Sequence, residues 1–226
     1  MKLDKMSKAR RAYQEACAAT HAIGVLGERW AVPIMRELML GPRRFGDLKA
    51  DIEGISANLL TQRLGDLEAA GVVVRRKLPP PSSVMVYELT RWGYEAGPIF
   101  QAMGRWGVRS PTHDPTKPFS AVSLVISFRT MLDPARANAS AVIRFKLGAQ
   151  SFVWTLANGQ VQIARGPTDG SEVVFEGPPA AIASAAYGGV PLGELEAAGT
   201  LRVTGDRALA ERFVTWFPLP ERLGAR

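Results

Sequence analysis

The sequence has one cysteine and two histidines among its 226 residues, and it lacks any long apolar run. A single cysteine cannot form an intrachain disulfide, so we predict a cytoplasmic protein. No membrane span is predicted, because a helix that crosses a bilayer needs about 20 consecutive apolar residues. The basic start of the chain contains no apolar segment of the kind that marks a secretory signal, so we expect no export.

The same scarcity limits the chemistry that the side chains can support. His21 and His113 stand apart from cysteines and from acidic patterns with metal-ligand spacing, so no metal site is predicted. Neither Cys17 nor any serine has a recognisable base partner, and no phosphate-binding glycine loop is present. We therefore predict a protein that is not an enzyme and needs no cofactor.

Positive charge is unevenly distributed along the chain. Residues 1–110 contain 17 Lys and Arg against 11 Asp and Glu, whereas residues 111–226 contain 11 against 10. A basic half beside a nearly neutral half predicts that only the first half binds a polyanion.

A proline-rich stretch divides the sequence. Pro111, Pro115 and Pro118 exclude a continuous helix and favour a stiff, extended linker. Helical patterns precede this stretch and strand patterns follow it. The predicted parts are a domain over 1–110, a linker over 111–118 and a second domain over 119–226.

Apolar periodicity and glycine stops predict helices, a strand hairpin and a last helix in the first domain. The predicted helices span 12–27, 30–40, 45–52 and 56–70, the strands 72–78 and 84–89, and the last helix 90–108. The short Gly54-Ile55 connection before the fourth helix is typical of a helix-turn-helix. The hairpin that follows is typical of the wing in a winged-helix domain.

The fourth helix combines an apolar face with an uncharged polar face. Leu60, Leu64 and Leu67 repeat at helical spacing. The opposite face carries Asn58, Thr61, Gln62 and Gly65. Amide and hydroxyl groups can hydrogen-bond to base edges, whereas a solvated face usually carries Lys and Glu. This pattern predicts a helix that reads DNA, and the alternative is an ordinary amphipathic helix.

Basic residues near this helix are candidates for phosphate contacts, with a plain surface role as the alternative. They are Arg43 and Arg44 ahead of the third helix, and Arg75, Arg76 and Lys77 on the first wing strand. Alternation along a strand sends Arg76 to one face and its two basic neighbours to the other. Arg63 lies near the apolar face of the fourth helix, where it can reach a phosphate or hold a neighbouring helix.

Several segments of the first domain resemble the HxlR-type regulators, over about residues 14–108. They include Ile23-Gly-Val-Leu-Gly-Glu-Arg-Trp30, Gly41-Pro-Arg-Arg-Phe-Gly-Asp-Leu48, Leu59-Leu-Thr-Gln-Arg-Leu64 and Tyr87-Glu-Leu-Thr90. The resemblance implies a dimeric winged-helix transcription regulator that binds double-stranded DNA through its fourth helix. It also implies that the DNA-facing positions are Ser56, Asn58, Thr61, Gln62 and Arg63.

Cys17 matches the family's cysteine position, which senses electrophiles or oxidants in some members. No lysine or arginine lies within four residues of Cys17 in the sequence, so nothing visible lowers its pKa. We expect a buried, unreactive thiol, and the alternative is a thiol-based sensor.

Large apolar residues recur along the last helix of the first domain. They are Trp92, Ile99, Phe100, Met103 and Trp106. A stripe of this size needs a partner surface, and two-fold reading of DNA half-sites predicts a homodimer. The alternative is burial of the stripe within its own domain.

The second half reads as an α+β domain, so the whole chain is predicted to be α+β. Predicted strands cover 141–147, 152–156, 161–163, 173–175 and 200–203, with a hairpin turn at Asn158-Gly159. The layout, and Gly199-Thr-Leu-Arg-Val-Thr-Gly-Asp206 followed by an aromatic helix, resemble a sterol-carrier-type lipid-binding domain.

That resemblance implies an apolar cavity between a sheet and helices. The candidate lining residues are Phe152, Trp154, Phe175, Phe213, Trp216 and Phe217. A plain hydrophobic core is the alternative for each of them. The predicted function is a dimeric DNA-binding regulator controlled by an apolar small molecule. Its alternatives are the Cys17 sensor and an apolar-ligand carrier whose basic half docks on a protein.

Overall fold

The structure, a computed structural model, describes residues 15–137, 139–167 and 171–224. Residue contacts divide it into two compact units, and the division falls between Glu95 and Ala96. Within the described ranges, no helix is long and apolar enough to cross a membrane.

The first unit is a winged helix-turn-helix fold, as predicted. Its elements are α1 (Ala18–Leu26), α2 (Ala31–Leu38), α3 (Phe45–Asp51), α4 (Ala57–Ala69), β1 (Val73–Lys77), β2 (Met85–Leu89) and α5 (Arg91–Tyr94). Strands β1 and β2 pair antiparallel, with Val73 opposite Leu89 and Lys77 opposite Met85. The core of this unit lies where α2, α3 and α4 pack together, and Ile34, Leu38 and Leu48 are fully buried there.

Two predicted helices of the first domain have different limits in the structure. The first helix begins at Ala18 because Cys17 has an extended backbone, and residues 12–14 of the prediction lie outside the described residues. The prediction of one continuous helix over 90–108 was wrong. Helix α5 ends at Tyr94 because Pro98 has no N–H to donate and its ring clashes with the carbonyl four residues earlier.

The second unit contains a five-stranded mixed sheet with helices. Its elements are α6 (Gly97–Gly107), α7 (Ala121–Met131), β3 (Ala141–Leu147), β4 (Gln150–Ala157), β5 (Gln160–Arg165), β6 (Val173–Glu176), α8 (Pro179–Gly188), α9 (Leu192–Ala197), β7 (Arg202–Gly205) and α10 (Arg207–Phe213). The strand order is β5-β4-β3-β6-β7. Only the β3–β6 pairing is parallel among these described strands. The predicted Asn158-Gly159 turn is confirmed, since both residues have positive φ between β4 and β5.

Helix α7 was missed by the sequence patterns, which favour strands after the linker. Its sequence is rich in β-branched and aromatic residues, which have low helix propensity. The helix forms because it is buried on nearly all sides, and tertiary packing overrides local preference. The Ser120 hydroxyl caps its first turn by accepting the Ser123 N–H at 3.0 Å.

An aromatic core fills the space between the sheet and the helices of the second unit. Its members are Phe128, Phe145, Phe152, Trp154, Phe175, Phe213, Trp216 and Phe217, each at most 3% exposed. The Phe128 and Phe217 rings lie 4.5 Å apart between centroids, and Phe213 and Phe217 lie 4.9 Å apart. Helices α7 and α10 therefore pack on the sheet through aromatic side chains.

The predicted linker, 111–118, is folded into turns rather than extended. The Arg222 guanidinium donates to the carbonyl of His113 at 2.6 Å and to that of Pro111 at 3.2 Å. The N–H of Leu223 donates to the Arg109 carbonyl at 2.9 Å. The end of the described chain thus fixes this stretch within the second unit, which is why it is not a free tether.

Candidate functional site

The face of α4 that is predicted to contact DNA is exposed in the structure. The α4 leucines Leu60, Leu64 and Leu67 are at most 1% exposed, and this burial fixes the rotation of the helix. The exposed side chains opposite them are Asn58, Thr61 and Gln62. An amide or hydroxyl group on this face is free to meet a base edge.

The start of α4 is fixed by the turn before it. Gly54 adopts a φ of 80°, which favours glycine, and Ile55 is 2% exposed. The Ser56 hydroxyl accepts the N–H of Leu59 at 3.2 Å, as an N-cap does. The Thr61 hydroxyl donates to the Ala57 carbonyl at 3.0 Å, so its oxygen can still accept a hydrogen bond from outside.

Three of the predicted phosphate-binding arginines form ion pairs within the first unit. Arg43 pairs with Asp51 and lies 3.9 Å from Asp47. Arg63 pairs at 3.0 Å with Glu28, which lies in the turn between α1 and α2, and at 2.7 Å with Asp66 of its own helix. Arg76 pairs with Glu88 across the wing.

The other candidate cations have no acidic partner in the part of the chain that the structure describes. They are Arg44, at the start of α3, and Arg75 and Lys77, on β1. All three side chains are exposed, and the Arg75 guanidinium stacks over Tyr87 at 6.0 Å from the ring centroid. Backbone hydrogen bonds between Arg43 and Tyr87, at 2.8 and 2.9 Å, join the start of α3 to the wing. Exposed positive charge therefore lies at both of these places.

Helix α6 has one packed face and one exposed apolar face. Gly104 contacts α7, whereas Ile99 and Met103 are 44% exposed and Trp106 is 79% exposed. Phe100 is half-buried, and on α5 Trp92 is 49% exposed. The alternative that the whole stripe is buried within its own domain is therefore wrong.

Cys17 is exposed, so the expectation of a buried thiol was wrong. The backbone N–H of Thr20, the Thr20 hydroxyl and the N–H of Ala19 favour the thiolate and lower the pKa of Cys17. The pKa is lowered without a neighbouring cation, by hydrogen-bond donors of the first turn of α1.

The six predicted cavity residues lie together in the aromatic core. Five of their rings form contacts with one another, as in the edge-to-face pair of Trp154 and Phe213 at 5.3 Å. The sixth ring, that of Phe152, lies under the Arg165 guanidinium, 5.1 Å from its centroid. The sequence missed two members, Phe128 and Phe145. Phe128 was missed together with its helix, whereas the alternating pattern of β3 already places Phe145 on the buried face.

Two families match the two halves of the chain. The HxlR-like helix-turn-helix family matches residues 25–114, and the SCP-2 sterol transfer family matches residues 128–218. Both resemblances drawn from the sequence are thereby confirmed.

The individual relatives match the first half. The HTH-type transcriptional regulator YodB of Bacillus subtilis is 38% identical over 85 residues, which are 38% of this chain and 76% of YodB. An uncharacterized HTH-type transcriptional regulator of Synechocystis sp. is 35% identical over 91 residues, 40% of this chain and 67% of the relative. Among solved structures, the reduced form of YodB is 33% identical, with a TM-score of 0.39, and the match covers 46% of this chain and 100% of YodB. By its identity to these relatives and the share of them that it covers, the chain belongs to the HxlR-like helix-turn-helix family, whose relatives named here are transcriptional regulators.

Proposed function

We propose that α4 reads base edges in the major groove of double-stranded DNA. The observation that supports this proposal most directly is the exposed, uncharged face of α4, which consists of Asn58, Thr61 and Gln62. Asn and Gln side chains can pair with adenine edges, and Ser56 and Thr61 can bond to bases or phosphates. Arg44, Arg75 and Lys77 would contact phosphates, because no acidic residue in the described ranges balances their charges.

We propose that the functional unit is a homodimer formed through the exposed face of α6. This face exposes three large apolar side chains, Ile99, Met103 and Trp106, and a second subunit would bury them. A two-fold dimer places two recognition helices about one turn of DNA apart.

Replacing Trp106 with Glu is expected to give a monomer with weaker DNA binding. The control is Arg105→Glu, which places the same carboxylate at the neighbouring exposed position and should leave the dimer intact.

We propose that the domain over 119–226 binds an apolar molecule and thereby regulates DNA binding in the cytoplasm. The match to a sterol transfer family and the concentration of aromatic side chains support this assignment. Binding would alter the packing of α7, which contacts both the aromatic core and α6. A shift of α6 would then favour one of two dimer arrangements and change the half-site spacing.

The first experiment measures binding to DNA selected from a random pool, against scrambled DNA, over a series of salt concentrations. Gln62→Ala is expected to weaken binding to the selected DNA by about 1–3 kcal/mol and to leave the scrambled DNA unaffected. The control is Gln160→Ala, an exposed glutamine on β5. Failure to select any sequence would contradict DNA reading and favour the apolar-ligand carrier.

A thiol-responsive regulator is the second candidate, because Cys17 is exposed and its pKa is lowered. The test compares DNA binding by wild type and Cys17→Ser before and after treatment with diamide. Loss of the response in Cys17→Ser is expected, and an equal response in both proteins would contradict this candidate.

A further inference from the structure

One indole in the aromatic core lacks a hydrogen-bond acceptor. Trp154 lies on β4, next to the central strand of the sheet, and is fully buried. Its Nε1–H has no acceptor among the described residues. Its ring lies beside those of Phe213 at 5.3 Å, Phe217 at 6.2 Å and Trp216 at 6.4 Å, none of which carries an oxygen or nitrogen lone pair that could accept the N–H.

An unpaired donor in this position is costly. Leaving a buried N–H unsatisfied costs about 1–3 kcal/mol, and buried tryptophans usually find a partner for this group. Phenylalanine would supply an aromatic ring without that cost. Packing alone therefore does not explain an indole at residue 154.

Two elements beside Trp154 are an edge strand and a segment without regular secondary structure. Ile163, the register partner of Trp154 on β5, is only half-buried, and β5 is an edge strand. Trp216 and Phe217 belong to the 214–217 segment, which follows α10 and contains neither helix nor strand. This segment is held through the Trp216 carbonyl, which accepts the Asp133 N–H at 2.9 Å, and the Thr215 carbonyl, which accepts from Arg136 at 3.2 Å.

We propose that the Trp154 indole N–H is a specificity-determining donor, which selects an apolar molecule that carries a hydrogen-bond-accepting oxygen. The inference rests on the proposed ligand binding by this domain. The ligand enters where the 214–217 segment and the β5 edge meet the core, and its oxygen accepts the Trp154 N–H. A short non-helical segment opens at a lower free energy than the sheet, so its displacement provides the route.

The test uses 2-nonanone and nonane, which have similar shape but differ in one carbonyl oxygen. Headspace gas chromatography measures the free concentration of each volatile probe above the full-length protein and so gives both affinities. In Trp154→Phe the ratio of ketone to alkane affinity is expected to fall about tenfold, because the oxygen loses its donor. Trp30→Phe is the matched control, since Trp30 in the first unit also has an unpaired, buried Nε1–H.

The outcomes separate this inference from the function on which it rests. Absence of binding of both probes to the wild type contradicts ligand binding and the role of Trp154 together. Binding with the same ketone-to-alkane ratio in wild type and Trp154→Phe overturns the role of Trp154 alone.

A measurement on the wild type covers the case in which Trp154→Phe does not fold. In protein labelled with ¹⁵N-tryptophan, the assigned Trp154 indole proton is expected to move downfield with 2-nonanone and not with nonane. An indole resonance that responds equally to both probes, or to neither, overturns the proposal.

Discussion

A β-carbon at Gly104 of α6 would lie 3.3 Å from the Cγ2 atom of Thr130 on α7. Thr130 is 5% exposed, and its hydroxyl donates to the Ile126 carbonyl at 3.0 Å, which restrains the side chain. Two residues earlier, Phe128 packs in the aromatic core. Helix α7 thus contacts α6 on one side and the core on another, and a change in the core can reach α6 through this one helix.

The close approach at Gly104 predicts opposite effects for two identical substitutions in α6. Gly107→Ala is expected to raise the free energy of unfolding by about 0.5–1 kcal/mol, because a β-carbon there meets open space and alanine favours the helix. Gly104→Ala is expected to lower it by about 1 kcal/mol or more, because Thr130 must move. Urea unfolding of both variants checks this, and equal stabilisation would contradict close packing of α6 on α7.

Arg43 and Arg44 are adjacent, and we predict a structural role for Arg43 and a DNA contact for Arg44. The Arg43 side chain is 15% exposed and pairs with Asp51, so Arg43→Ala is expected to lower the free energy of unfolding by about 1–3 kcal/mol. Arg44→Ala is expected to change stability by at most about 0.5 kcal/mol.

In DNA binding, the order of the two variants is reversed. Arg44→Ala is expected to weaken binding to all sequences alike and to reduce the slope of affinity against salt by about one. Arg43→Ala, measured where it is folded, is expected to keep the wild-type slope. A reduced slope for Arg43→Ala alone would mean that Arg43, not Arg44, contacts phosphate.

Ser56 is predicted to act both as the cap of α4 and as a DNA contact, and two substitutions distinguish these roles. Ser56→Ala is expected to lower the free energy of unfolding by about 0.5–2 kcal/mol, because the Leu59 N–H loses its acceptor. Ser56→Asp keeps a good cap and should preserve stability. Its carboxylate is expected to repel phosphate and weaken DNA binding, so unchanged binding by Ser56→Asp would place residue 56 away from the DNA.

The first unit could be predicted closely from the sequence because its signals are local. Capping residues, glycine stops and periodic leucines fix α4 and the wing within a few residues of the observed limits. The pairing of Arg63 with Glu28, by contrast, joins residues far apart in the sequence and depends on how α4 packs. The sequence could offer only two alternatives for that arginine.

The second unit shows where local reasoning fails. Helix α7 forms from residues with strand propensity because it is buried on nearly all sides. A helix buried in this way has no alternation of apolar and polar residues from which it could be predicted. The parallel pairing of β3 with β6 is likewise not encoded by a turn, since the two strands are not adjacent in the sequence. The unpaired Nε1–H of Trp154 depends on the surrounding rings, so only the assembled core reveals it.

The lowered pKa of Cys17 predicts how the stability of the protein and the reactivity of the thiol depend on pH. Folding places the thiol beside the N–H groups of Thr20 and Ala19 and lowers its pKa, so the folded protein carries more thiolate at neutral pH than the unfolded chain. The thiolate therefore contributes stability above the unfolded pKa, and this contribution is lost as the pH falls through the folded pKa.

Because the chain has one cysteine, its alkylation by iodoacetamide reports on Cys17 alone. The rate is expected to reach half its maximum at a lower pH in the folded protein than in the urea-unfolded chain, which serves as the control. Thr20→Val removes the hydroxyl donor and is expected to move the folded midpoint upward, towards the unfolded value. Equal midpoints for the folded and unfolded wild type would show that the first turn of α1 does not activate the thiol.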